Sequence, residues 1–246
     1  MPLQEDYDNA GLQVGLTEAD VSGVLLCLDV TEAVVREAKE KGCNMIVAHH
    51  PLIFRKLRRI TAEDYVQRCV IEAIKGDIAI VAMHTNLDSV RGGVNHMMAR
   101  RLGLTDVEMM DSHDVAGTEA GMGVTGRLTE PLTAEEFIGR VKETFRCGCV
   151  MANELLRRPI RKVALCGGSG AFMLQKAVES GADAFITGEM HYHEFFGMKQ
   201  RIQIAVTGHY ESEQFTIDLL EEIINEACKG VRTVRTEICT NPIAYH

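Results

Sequence analysis

The sequence predicts an α/β fold with mixed, largely parallel β-sheets, built from a duplicated unit. Three observations carry that reading. Apolar runs of strand length alternate with amphipathic helical stretches, first over residues 22–30, 45–48 and 78–83 and again over 162–166, 184–187 and 202–207. Runs without polar alternation are what strands buried on both faces require. The two series also match one another in order and content. Finally, polar residues suited to chemistry stand where runs end, as in Ile46-Val47-Ala48-His49-His50-Pro51, and open α/β sheets carry their sites outside the carboxyl ends of the strands.

Taken in order, residues 6–15 read as a polar loop punctuated by Gly11 and Gly15, and the run 22–30 (SGVLLCLDV) as the first buried strand. Thr31 supplies an N-cap oxygen for a helix whose apolar face holds Val34 and Ala38 and which ends at Gly42. Residues 45–48 form the second strand, and Pro51, with no N–H to donate, stops further pairing. A basic loop, Arg55-Lys56-Leu57-Arg58-Arg59, leads to a helix over 62–75, a strand over 78–83 and a helix over 92–102. Residues 105–123 are polar, Gly-containing and aperiodic, so the boundary between a first repeat (1–112) and a second (113–246) is placed there. A strand over 124–128 follows, and Thr133 with Glu136 makes a capping box for a helix through Phe145. The strands 162–166, 184–187 and 202–207 are separated by helices over 171–180 and 191–199, and a closing helix covers 215–228.

The duplication is seen by laying Leu26 on Leu165. Cys27 then falls on Cys166, Ala38 on Ala177, Gly42 on Gly181 and Asn44 on Asp183, while His49-His50 meets Gly188-Glu189. With Val81 laid on Val206, His84 meets His209 and Asp88 meets Glu213. Matches among apolar residues arise cheaply by chance. A shared histidine with a carboxylate four residues later, placed after corresponding strands, is a stronger sign of an internal repeat.

Composition excludes several function classes. Of 246 residues, 46% are hydrophobic and 25% charged, the balance of a globular protein with a substantial core. A net charge of −9 disfavours nucleic acid as a partner. The one strong basic cluster, Arg55 to Arg59, reads as a solvated loop rather than a phosphate-reading patch. Eight cysteines are scattered without zinc-finger or thioredoxin spacing and read as reduced thiols of a cytoplasmic protein. No stretch has membrane-spanning length, and Met1-Pro2-Leu3-Gln4-Glu5-Asp6 does not read as a signal peptide.

The chemistry-bearing residues cluster at four strand ends: His49-His50, His84 with Asp88, Glu189 with His191 and His193, and His209 with Glu213. Imidazole and carboxylate are ligands for zinc, iron, manganese or nickel. His209 and Glu213 share a face if Tyr210 opens a helix. The glycine loop Cys166-Gly167-Gly168-Ser169-Gly170 follows a strand and opens a helix. It is either a tight turn or an anion site, and it lacks the Gly-Lys-Ser/Thr of a P-loop.

In this order, Asp8-Asn9-Ala10-Gly11-Leu12-Gln13-Val14-Gly15, Ala48-His49-His50-Pro51, His84-Thr85-Asn86-Leu87-Asp88, Gly92-Gly93-Val94-Asn95, Thr187-Gly188-Glu189 with Tyr192-His193, Gly208 to Glu213, and Thr240-Asn241-Pro242 resemble the GTP cyclohydrolase 1 type 2 homologue family. Its members are also described as NGG-interacting-factor-like dinuclear-metal hexamers. The resemblance runs over nearly the whole chain, in the compact form without a central insert. It implies two intertwined α/β repeats assembled as a toroidal homohexamer, with two divalent metal ions per subunit. His49 and His209 would hold one ion, His50 and Asp88 the other, and Glu213 would bridge both. His84, His193 and Glu189 either orient ligands or contact substrate or have a plain core or surface role, and His84 or His193 is the candidate proton shuttle. Members usually open with an amphipathic helix before the Asn-Gly loop, and this chain reaches that loop almost at once, so either its start is misassigned or truncated or its first repeat lacks a covering helix.

The function so implied is a metal-dependent hydrolase acting on a nucleotide-like small molecule through a metal-bound hydroxide, as in opening of the GTP imidazole ring with loss of formate. A metal-binding hexameric scaffold for a protein or single-stranded nucleic acid partner is the alternative, and a metal buffer or donor a third.

Overall fold

The computed structural model describes residues 3–246. The first two positions of the Met1–Asp6 segment discussed above lie outside them. In chain order the elements are β1 (Gly11–Val14), β2 (Val24–Cys27), α1 (Glu32–Glu40), β3 (Met45–Ala48), α2 (Tyr65–Lys75), β4 (Ala79–Ala82), α3 (Thr85–Asp88), α4 (Val94–Leu102), β5 (Thr105–Met109), β6 (His113–Val115), β7 (Thr118–Ala120), β8 (Val124–Leu132), α5 (Ala134–Thr144), β9 (Met151–Ala152), β10 (Ile160–Cys166), α6 (Leu174–Glu179), β11 (Ala184–Thr187), β12 (Gln203–Val206), α7 (His209–Glu213), α8 (Thr216–Ala227) and β13 (Thr233–Arg235). The chain forms two compact units, one from Met1–Leu87 and Thr216–Pro242, the other from Asp88–Phe215 and Ile243–His246. No helix among the described residues is long and apolar enough to cross a membrane.

The first unit carries a five-stranded sheet of order β1-β4-β3-β2-β13. β13, β2, β3 and β4 run parallel, and β1 pairs antiparallel with β4. Its core is Leu25, Cys27, Ile46, Ala48 and Ile80 under the apolar faces of α1 and α2. Both helices begin on side-chain caps: Thr31 Oγ1 accepts from Val34 N, and Asp64 Oδ1 from Gln67 N. The second unit carries a six-stranded sheet of order β5-β8-β10-β11-β12-β9 and a separate β6-β7 hairpin. β10, β11 and β12 are parallel, with β5, β8 and β9 added antiparallel. The parallel succession of the first unit therefore recurs, and the sheets are mixed and largely parallel at their centres. The capping box at Thr133 and Glu136 forms as its spacing requires.

Three expectations change. Residues 105–123, read as an aperiodic stretch holding the boundary, contain β5, β6 and β7; these strands are largely exposed, so they lack the apolar signature of the central ones. Residues 191–199 give one 3-10 turn, Tyr192–Phe195, in place of a helix, with Gly197 at φ +78° ending any continuation. Residues 11–14, read as loop, form β1 at the sheet edge.

The end of the first unit is pinned by a buried carboxylate. Glu37 of α1 accepts from the Thr236 hydroxyl and from Glu237 N at 2.8 Å, and pairs with Lys41 at 2.8 Å. Burial alone would raise its pKa, but these bonds hold it below its ordinary value of 4.5. A carboxyl with a depressed folded value stabilises fully above its unfolded value and loses that contribution as pH falls through the folded one. Glu37→Gln should therefore lower the melting temperature most near neutral pH, with the gap to wild type shrinking below about pH 4.5. Thermal melts across pH 7 to 3 check this, and a gap that widens on acidification would contradict it.

Candidate metal centre

In the first unit, strand register brings three polar segments to one edge. Cys27, Ala48 and Ala82, the last residues of β2, β3 and β4, are partners across the sheet. Leu28-Asp29, His49-His50 and Met83-His84 therefore leave it side by side. Ring centroids lie 4.9 Å apart for His49 and His50, 5.4 Å for His49 and His84, and 5.6 Å for His50 and His84.

Each ring is held at the same nitrogen. His49 Nδ1 donates to the Met83 carbonyl at 2.8 Å, His50 Nδ1 to Asp29 Oδ1 at 2.7 Å, and His84 Nδ1 to Asp8 Oδ1 at 2.7 Å. These oxygens accept only, so the proton sits on Nδ1 and the lone pair of a neutral ring on Nε2. The acceptors are held in turn. Thr240 Oγ1 donates to Asp29 Oδ2 at 2.7 Å, and Thr85 gives its N–H and hydroxyl to Asp8 Oδ2 at 3.1 and 2.5 Å. Burial would raise Asp8, but the bonds from Thr85 and His84 keep it below the usual carboxylate range. Burial lowers His84 against the pull of Asp8, and the neighbouring His49 and His50 lower it further. His84 is a neutral imidazole at neutral pH.

The second unit repeats the device. Cys166, Thr187 and Val206 end β10, β11 and β12 in register. The glycine loop, Gly188-Glu189 and Gly208-His209 follow them. His209 opens α7, and Glu213, one turn later and buried, places Oε2 3.1 Å from His209 Nε2. His209 Nδ1 donates to Glu189 Oε1 at 3.0 Å. Burial would raise Glu189, yet the Ser169 hydroxyl and His209 hold it below its ordinary value. Asp88 ends α3. Its carbonyl accepts from Asn95 Nδ2 at 3.1 Å, and Asn95 Oδ1 accepts from Gly167 N at 3.0 Å. Both Asp88 and Glu213 bear on the Cys166 thiol, which burial has already pushed up.

The glycine loop is a turn that seats Glu213 rather than a phosphate cradle. A Cβ on Gly168, at φ +56°, would stand 2.3 Å from Glu213 Oε1, and the flanking carboxylates Glu189 and Glu213 oppose an anion there. His193 is exposed, its ring among those of Tyr192 and Phe196 at 5.2 and 6.1 Å. Sequence reasoning missed Asp29, the Met83 carbonyl, Asn95 and Thr240 as orienting groups. Asp29 carried a local signal, a carboxylate at the end of an apolar run, and Asn95 and Thr240 stood in segments of the family resemblance without a role. His49 and His50 in the first unit, and His209 and Glu213 in the second, each bring together donors of the kinds that hold a metal ion.

The chain is similar to several known proteins in sequence and in fold. A Clostridium perfringens protein named GTP cyclohydrolase 1 type 2 homolog is 38% identical over 91% of this chain and 86% of its own. A Lactococcus lactis protein of the same name is 36% identical over 98% and 92%, and the Drosophila melanogaster NIF3-like protein 1 is 30% identical over 91% and 78%. Among solved structures, a Bacillus cereus protein related to NIF3 superposes with a TM-score of 0.89 at 26% identity, covering 99% of this chain and 94% of that one. The sequence profile of Duf34/NIF3 (NGG1p interacting factor 3) matches residues 1–242. With that match over residues 1–242 and relatives 36–38% identical over most of its length, the chain belongs to the Duf34/NIF3 family.

Proposed function

We propose that this protein is a metal-dependent hydrolase of nucleotide-like small molecules, with two divalent ions held by His49, His50, Asp88, His209 and Glu213. One observation carries the reading: His49, His50, His84 and His209 all spend Nδ1 on an oxygen acceptor. Histidines kept for packing have no reason to share one tautomer, whereas metal-binding histidines do, because a bonded Nδ1–H fixes the ring and raises the basicity of Nε2. Divalent ions so held supply Lewis-acid polarisation and an activated water at neutral pH.

The protein's own groups set the rest. Asp29 and Glu189 orient His50 and His209, and the buried Glu213 supplies negative charge beside His209. Of the two candidate proton shuttles, His84 is favoured: it is neutral, steered by Asp8, and beside two of the proposed ligands. It can take a proton at Nε2 and return it to a leaving group. The names of the relatives suggest GTP as substrate, and the reaction proposed is opening of its imidazole ring with release of formate. The proposal includes assembly as a homohexamer, for which mass by light scattering is the check.

The test is formate release from GTP by metal-loaded protein, with chelated protein as the blank. Metal-dependent formate supports the reading. Turnover of phosphoesters without formate would remove the cyclohydrolase assignment and keep the hydrolase; failure to retain metal would remove both.

A further inference from the structure

The loop after His50 is anchored at both ends and meets the histidines at Phe54. Leu52 is buried, and Ile53 is clamped on both sides: its N–H donates to Gln13 Oε1 at 2.8 Å and its carbonyl accepts from Asn9 Nδ2 at 2.6 Å. Leu57 packs against the core of the first unit. Between these anchors stand Phe54, Arg55 and Lys56, all exposed, and Arg58 follows. Phe54 meets the His84 ring edge-on at 6.1 Å. Asp8, which steers His84, and Asn9, which clamps Ile53, are adjacent residues, so one short segment positions both the imidazole and the loop.

The loop's charge runs against the character of the chain. In a protein of net charge −9, surface cations such as Arg36, Arg68, Arg91 and Arg235 sit against carboxylates. In the loop only Arg59 does, reaching Glu63 at 3.7 Å. Arg55, Lys56 and Arg58 have no carboxylate within ion-pair distance among the described residues. A loop serving solubility alone does not need two anchors, nor a half-exposed Phe54 at the rim of an imidazole cluster. Guanidinium and ammonium donors on the same short loop as an exposed aromatic ring are the groups that suit a phosphate attached to a planar ring.

We infer that residues 54–58 form an anion subsite beside the histidines, in which Arg55, Lys56 and Arg58 receive the phosphate of a small substrate and Phe54 covers its ring. The subsite deepens the reading above, because it takes the histidines as the place where that substrate reacts. It also reverses the sequence-based view of this cluster as a merely solvated loop.

Binding to the full chain in chelator tests it, by titration calorimetry with GMP, guanosine and inorganic phosphate as probes. GMP should bind about tenfold or more tightly than guanosine, and the gap should narrow as salt is raised. In R55Q/K56Q/R58Q the gap should close, and in R55K/K56R/R58K, which keeps the charges, it should persist. Phe54→Ala should weaken guanosine and GMP alike and leave inorganic phosphate unchanged. Equal binding of GMP and guanosine by the wild type overturns the inference whatever the variants do, as does a gap that survives the glutamine variant. Binding of a single-stranded oligonucleotide with none of GMP overturns it in favour of a nucleic-acid surface. Because the readout is binding without metal, its failure is separable from failure of the hydrolase reading, which is read from metal retention and turnover.

Discussion

Glu213→Gln should strip the protein of metal while leaving it folded. Glu213 is buried, with Oε2 3.1 Å from His209 Nε2, and its side chain lies against Gly167 and Gly168. His209 already spends Nδ1 on Glu189. A neutral imidazole has one N–H and cannot donate to both carboxylates, so the Nε2 side of His209 takes either a proton of its own or a bound cation, and in the proposed centre it is the cation. Glutamine keeps the volume and removes the charge. The loss of metal affinity should exceed the about 10–100-fold expected for an orienting partner, so Glu189→Gln and Asp29→Asn should each fall short of it. Elemental analysis gives the ions per chain, and thermal melts give an independent reading. Binding to the native state alone raises apparent stability, so added divalent metal should raise the wild-type melt and not that of the variant. In chelator the two should unfold alike. A variant that holds as much metal as the wild type would remove Glu213 from the site.

How much of this is visible in the sequence follows from what each element buries. β2, β3, β4, β10, β11 and β12 are covered on both faces, and their apolar runs announce them. Thr31 and Thr133 mark helix starts because a hydroxyl cap is a local matter of a few residues. β1, β5, β6, β7 and β9 are edge or hairpin strands with few buried positions, and β13 joins β2 from the far end of the chain. Local patterning has no hold on these. The site divides in the same way. His49, His50, His84, Asp88, His209 and Glu213 are conspicuous by residue type and place. Of their orienting partners Glu189 stands out in the same way, but that Asp29 reaches His50, and Asn95 reaches Gly167, is decided only by the register and packing of distant segments. The glycine loop shows the limit most directly. Its composition admits an anion cradle, and only the carboxylates folded around it decide for a turn.

That turn makes the second large prediction. Gly168→Ala should cost metal affinity on the scale of Glu213→Gln although every proposed ligand is still present. Gly168 lies at φ +56°, where an L side chain is disfavoured by about 1–2 kcal/mol. Its Cβ would stand 2.3 Å from Glu213 Oε1, 3.3 Å from Glu213 Cδ and 3.3 Å from His209 Nε2. The carboxylate is the far end of a side chain and can move, but moving it breaks the 3.1 Å pairing with His209. Nor can the turn yield easily, because Gly168 N donates to Ser212 Oγ at 3.0 Å and the Gly168 carbonyl accepts from Glu189 N at 2.9 Å. Gly181→Ala separates the two costs: Gly181 has φ +73° with nothing within 4 Å of its would-be Cβ, so it bears the backbone term alone. Both variants should lose stability to denaturant by a similar amount, and only Gly168→Ala should lose metal. If Gly168→Ala retained metal as Gly181→Ala does, Glu213 would have room to rearrange and still bind, and the glycine would be there for the backbone only. If metal is lost selectively, the glycine at the end of β10 is as much a condition of the site as the histidines at the end of β3.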